Sequence, residues 1–203
     1  MMARLSGPTL FANAFLVGAV LMGFEMLGSR YLFPYFGGGI GTWASLISTV
    51  LIALAIGYFF GGMLVDRHPS PKLMGCAIAL AAAYLALVPV VADWLMVSIL
   101  ETIGDGPAAV LLASAALLLA PLSLLGTFSP VAVRLLLRTT SESGRVAGRI
   151  YGVSTIGNVF GTLFTTFLLI PWIGSRAITY LYALVLAACA ASLFLLVRPG
   201  EDS

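Results

Sequence analysis

Glu25 is a lone carboxylate within an otherwise apolar stretch running from Leu10 to about Leu27. Crossing the hydrocarbon takes roughly 20 residues of helix, and an acidic side chain near the middle costs about 2.5 to 3.5 kcal/mol on insertion scales. Such a group is expected to face protein or water, not lipid. Two roles fit it: a buried carboxylate that only hydrogen-bonds a neighbouring helix, or a site for a ligand, proton or partner. Gly18, Met22, Glu25 and Ser29 share one face by their spacing. Arg30, five residues beyond Glu25, is turned about 140° away on a helix of 3.6 residues per turn. It is expected at the headgroups or the outer mouth, unpaired with Glu25.

A second polar set lies near the C-terminal end of the chain, where Ser154, Asn158, Thr162 and Thr166 run at four-residue spacing. A midspan amide needs partners, so Asn158 either bonds another helix or lines a polar cavity. A pocket between the first and fifth helices is expected, with Glu25, Ser29, Asn158 and Ser154 binding a substrate or proton. Beside this row run Gly148 and Gly152, then Gly157, Gly161 and Thr165. The second helix carries Ser45, Thr49, Ala53, Gly57 and Gly61 at the same interval. Small side chains let helix backbones approach closely, so Gly57, Gly61, Gly157 and Gly161 are assigned to helix packing.

Catalytic and metal chemistry find little support. His68 is the only histidine, which leaves no Ser/His/Asp or Cys/His set and no ligand spacing for zinc. Cys76 and Cys189 fall in different apolar stretches without CxxC spacing and are expected to be packing thiols. The run Gly37-Gly38-Gly39-Ile40-Gly41 lacks the Lys-Ser/Thr end of a phosphate loop and reads as a flexible turn. No enzymatic activity, metal, cofactor or nucleic-acid partner is expected.

The elements that must position these residues are membrane helices. The chain is 61% hydrophobic and 9% charged with a mean hydropathy of +1.09, against about 25% charged residues in soluble domains. Six spans can be drawn, at 10–32, 43–65, 72–92, 107–130, 150–171 and 176–197. They make residues 1–203 a single six-helix transmembrane domain with no soluble domain. The first span is too long for a signal sequence and lacks a clear cleavage site, so it is expected to be retained. Residues 94–103 are expected to form either a helix lying in the interface or a loop.

With the N-terminus inside, Arg4, Arg67, Lys72, Arg134, Arg138, Arg145, Arg149 and Arg198 are cytoplasmic, and only Arg30 and Arg176 are outside. This bias places both termini in the cytoplasm. Tyr31, Tyr35, Trp43, Trp94, Trp172 and Tyr180 then form an outer aromatic belt.

Gly62 to Arg67, ending in Asp66-Arg67, resembles the loop motif of the major facilitator superfamily, where it is thought to bridge helices and gate the cytoplasmic side. The other reading is a positive-inside anchor capped by an aspartate. Four ordered blocks extend the resemblance: Phe15 to Arg30 (FLVGAVLMGFEMLGSR), Ala53 to Arg67 (ALAIGYFFGGMLVDR), Leu125 to Leu135 (LGTFSPVAVRL) and Gly148 to Gly174 (GRIYGVSTIGNVFGTLFTTFLLIPWIG). These look like the membrane region of fused transporter/spermidine synthase-like proteins. Glu25 and Arg30 match that family's first-helix Glu and Arg, whereas its Asn-Thr pair in the fifth-helix block is Ser154-Thr155 here. The family's aminopropyltransferase domain has no counterpart before Ser203.

The resemblance implies an all-α polytopic protein of a bacterial-type inner membrane, its six helices forming half of a major facilitator fold. It would be a transporter of a small cation or polyamine acting as a homodimer. The competing expectations are a non-catalytic membrane subunit or anchor for a separate spermidine synthase-like enzyme, and a structural component of a larger membrane assembly.

Overall fold

Gly and Pro punctuate the chain where its helices turn. The computed structural model describes residues 7–67, 70–137, 139 and 142–196. The sequence-based assignments to Arg4, His68, Arg138 and Arg198, and to the two termini, lie outside those residues. Helices α1 (Gly7–Phe36), α2 (Ile40–Arg67) and α3 (Pro71–Ile103) are each a single span. The fourth span is α4 (Pro107–Gly126) followed by α5 (Phe128–Leu136). The fifth is α6 (Ser143–Phe164), a π-helical turn (Thr165–Leu169) and the short α7 (Ile170–Trp172), and α8 (Ser175–Leu196) is the sixth. The described residues are all-α, with six helices long and apolar enough to cross a membrane.

The helix ends have local causes. Gly37 adopts a φ of 72°, a left-handed conformation that costs glycine little, and its N–H donates to the Phe33 carbonyl at 3.0 Å to close α1. Ser70 caps α3 by accepting from the Lys72 N–H at 3.2 Å, with Pro71 opening the helix. Gly104, at a φ of 91°, ends it.

Helix α3 runs without interruption to Ile103, so residues 94–103 form neither an interfacial helix nor a loop. Met96 and Ile99 are buried, as are Ala109 and Val110 of α4, the helix that packs on α3. Trp94 stands 72% exposed on its outer side.

Helix α1 is the centre of the bundle. Of its most apolar window 67% is buried, against 22% for the fifth span. It packs most extensively on α6, and also on α8, α4 and α2, while α2 pairs with α4 and α3 with α8. Glycine sets the closest approaches. A Cβ at Gly157 or Gly161 would collide with the backbone of Phe15 or Ala19, and one at Gly57 with the backbone of Ser123 and Gly126. One at Gly61 would press on Thr127. Gly148 and Gly152 have nothing within 4 Å, so the close approach of α6 to α1 begins at Ser154, whose carbonyl a Cβ at Gly18 would strike.

Polar contacts pin α8 to the rest. Asn13 donates to the Ser192 hydroxyl at 3.0 Å, Tyr31 and Thr179 share a hydrogen bond at 3.0 Å, and Thr165 bonds Tyr182. Tyr31 is therefore interior and not part of an aromatic belt. Arg176 of α8 pairs with Asp93 of α3.

Candidate functional site

The fifth span fixes the depth of everything near Glu25. Helices α1 and α6 run in parallel, with Gly157 against Phe15, Gly161 against Ala19 and Thr165 against Gly23, a constant offset of 142 positions. Thr166 therefore stands at the depth of Phe24 and Glu25. Helix α2 runs the opposite way, with Leu46 against Gly28 and with Leu54 sharing a cavity with Leu21. This brings Thr49 to the depth of Glu25 as well.

Glu25 is only 6% exposed. Among the described residues no side chain hydrogen-bonds or ion-pairs its carboxyl, and Arg30 does not reach back to it. The Thr49 and Thr166 hydroxyl oxygens are buried and unpartnered too. Burying a polar group without a partner is costly, so three such groups at one depth mark a place where the bundle carries an unmet demand for hydrogen bonds or charge.

Of the three, Thr166 lines an opening. Met26, Ser29, Arg30, Trp43, Thr166 and Ile170 line a cavity of about 450 Å³ between α1, α2 and the end of the fifth span. Ser29 sits one helical turn above Glu25, its hydroxyl spent on the Met26 carbonyl at 2.8 Å. Arg30 is exposed and also lines a second opening of about 320 Å³ with Pro34 and Ile173. The π-helical turn faces this cavity. Pro171 has no N–H to continue the ladder and its ring would crowd the carbonyl four residues back. The chain widens by a residue instead, the Ile170 N–H reaching Thr165 five positions earlier. Such widened turns recur at functional sites.

Asn158 and Ser154 are not part of this group. They lie about two helical turns nearer the cytoplasmic end, lining a small, largely enclosed cavity with Tyr58, Gly126 and Ser129. The pocket expected to join Glu25, Ser29, Asn158 and Ser154 is thus two sites, an outer one under Arg30 and an inner one against the fourth span. Asp66 and Arg67 occupy the last turn of α2, where Asp66 pairs with Arg134 of α5 at 3.8 Å. Both side chains of that pair are well exposed, so it contributes little to stability.

The spacing of polar residues did not single out Ser129, Tyr58 or Tyr182. Ser129 has a sequence signal, because Thr127-Phe128-Ser129-Pro130 puts two hydroxyls beside a helix-breaking proline within an apolar span. Tyr58 and Tyr182 have none, since an aromatic on a membrane helix reads as apolar until its neighbour is known. Among the described residues no group of His, Cys, Asp or Glu could hold a metal ion. Cys76 is exposed and Cys189 buried, both as free thiols.

Compared with known proteins, the chain matches no family model, no curated protein and no solved structure.

Proposed function

We propose that this polytopic membrane protein is a non-catalytic, half-sized transporter of the major-facilitator kind that moves a small cation across a bacterial-type inner membrane. The observation that carries the reading is Glu25, a buried residue whose carboxyl has no protein partner among the described residues and whose chain neighbour Met26 lines an open cavity of about 450 Å³. An intramembrane acid is costly unless it meets a ligand, proton or water. One carboxylate balances one positive charge, and Arg30 on the cavity wall repels a polycation. A monocation suits this site better than a polyamine.

Assembly follows from what the fifth span leaves uncovered. Helix α2 exposes Phe59 and Phe60, and the fifth span exposes Phe160, Phe164 and Phe167. In this reading a second copy, parallel to the first with both termini cytoplasmic, covers that face, and closed two-fold symmetry encloses the Glu25 cavity. The alternative is a membrane subunit or anchor for a separate spermidine synthase-like enzyme, which the exposed α2 and α6 faces would serve equally well.

Reconstitution separates the two. Purified protein in proteoliposomes is expected to move a labelled monovalent organic cation down its gradient and to run as a dimer in native mass spectrometry. Absence of flux together with a soluble protein copurifying in fixed ratio replaces transport with the subunit reading.

A further inference from the structure

The inner cavity is small and polar at once. Its volume is about 20 Å³, enough for one water-sized occupant, which needs at least about 10 to 15 Å³. Four side-chain oxygens belong to residues of its lining, those of Ser129, Ser154, Asn158 and the 41% exposed Tyr58. Among the described residues none of these four has a hydrogen-bond partner. The Asn158 Oδ1 is fully shielded, and Ser129 is 7% exposed. The backbone offers a fifth oxygen. Gly126 lines the cavity where α4 gives way to α5, and its carbonyl has no helical donor because the residue four positions on is Pro130.

We propose that this cavity binds one dehydrated monovalent cation of sodium's size, held by oxygens of Tyr58, Ser129, Ser154, Asn158 and the Gly126 carbonyl. Two considerations favour a cation over a buried water. A buried water makes at most about four hydrogen bonds, donating two and accepting from hydroxyls, which leaves one of five oxygens unmet, whereas an ion can take all five in one shell. Carbonyls freed at helix breaks are the groups that replace the hydration of small cations inside membranes, and this cavity sits on such a break. Oxygens without formal charge leave the ion loosely held, which suits reversible occupancy. The site is distinct from the Glu25 cavity, and binding there does not depend on the transport reading.

Thermal unfolding of the purified protein tests this, followed in sodium, potassium and choline chloride series at constant ionic strength. An ion that binds only the folded state raises its midpoint by roughly 5 °C at a hundredfold excess over Kd. That rise is expected in sodium, with a much smaller one in potassium and none in choline. Ser129→Ala and the milder Tyr58→Phe should each need about tenfold more sodium for the same shift, as expected for loss of one ligand. Glu25→Gln should keep the sodium shift while losing flux, which separates this site from the outer one. Identical midpoints for wild-type protein in sodium and choline, or a full sodium shift in both Ser129→Ala and Tyr58→Phe, overturn the assignment. A potassium shift equal to that in sodium overturns the size.

Discussion

Two glycines of the fifth span, five residues apart, have opposite surroundings. A Cβ at Gly157 would run into the Phe15 carbonyl, whereas one at Gly152 meets nothing. Gly157→Ala is therefore expected to destabilise the protein by about 1 to 3 kcal/mol through overpacking. Gly152→Ala is expected to be neutral or stabilising by up to about 1 kcal/mol through helix propensity. Thermal midpoints of the two variants check this, and equal effects would mean that α6 does not lie on α1 as described. Repetition of glycine alone put both in one row, because regular spacing identifies a face without saying how far a neighbour extends along it. Glu25 was legible for a different reason, since an acid in an apolar run is conspicuous whatever surrounds it. Ser129 and Tyr58 were not, because the signal of an unpaired hydroxyl exists only once its neighbours are placed.

At the scale of the elements, hydropathy located all six spans but set their ends too close to the apolar cores. Helix α3 shows why. The third span is drawn to end at 92, yet Met96 and Ile99 are buried within a helix that continues to Ile103. The two proline-linked irregularities, at Pro130 and Pro171, border the two candidate sites. Pro130→Ala restores a donor for the Gly126 carbonyl, so it is expected to leave the fold intact while weakening any sodium-dependent stabilisation. Midpoints recorded with and without sodium report both effects, and an undiminished sodium shift would remove that carbonyl from the site.

For the whole molecule, the arrangement of charge predicts orientation. The end bearing Asp66, Lys72, Arg134, Arg145 and Arg149 is expected in the cytoplasm, and the end with Asp93, Asp105 and Arg176 outside. In a Cys76→Ser background, an impermeant thiol reagent should label Asp105→Cys in sealed cells and should leave Ser143→Cys unlabelled until the membrane is opened. The reverse pattern inverts the topology. The division of the expected single pocket into outer and inner sites could not be read from the chain, because Glu25 and Asn158 belong to helices whose relative depth is set by where Gly157 and Gly161 dock.

The central claim is that Glu25 is held in the bundle by a function and not by a structural bond. The measurement that tests it most directly is paired flux and thermal stability of Glu25→Gln against wild-type protein in the same proteoliposome lipid. Loss of at least about 90% of cation flux is expected, with a thermal midpoint equal to or above that of wild type, because removing an unpaired buried charge relieves desolvation without breaking a contact. Retained flux, or a large fall in stability, would contradict the claim and make Glu25 a structural group.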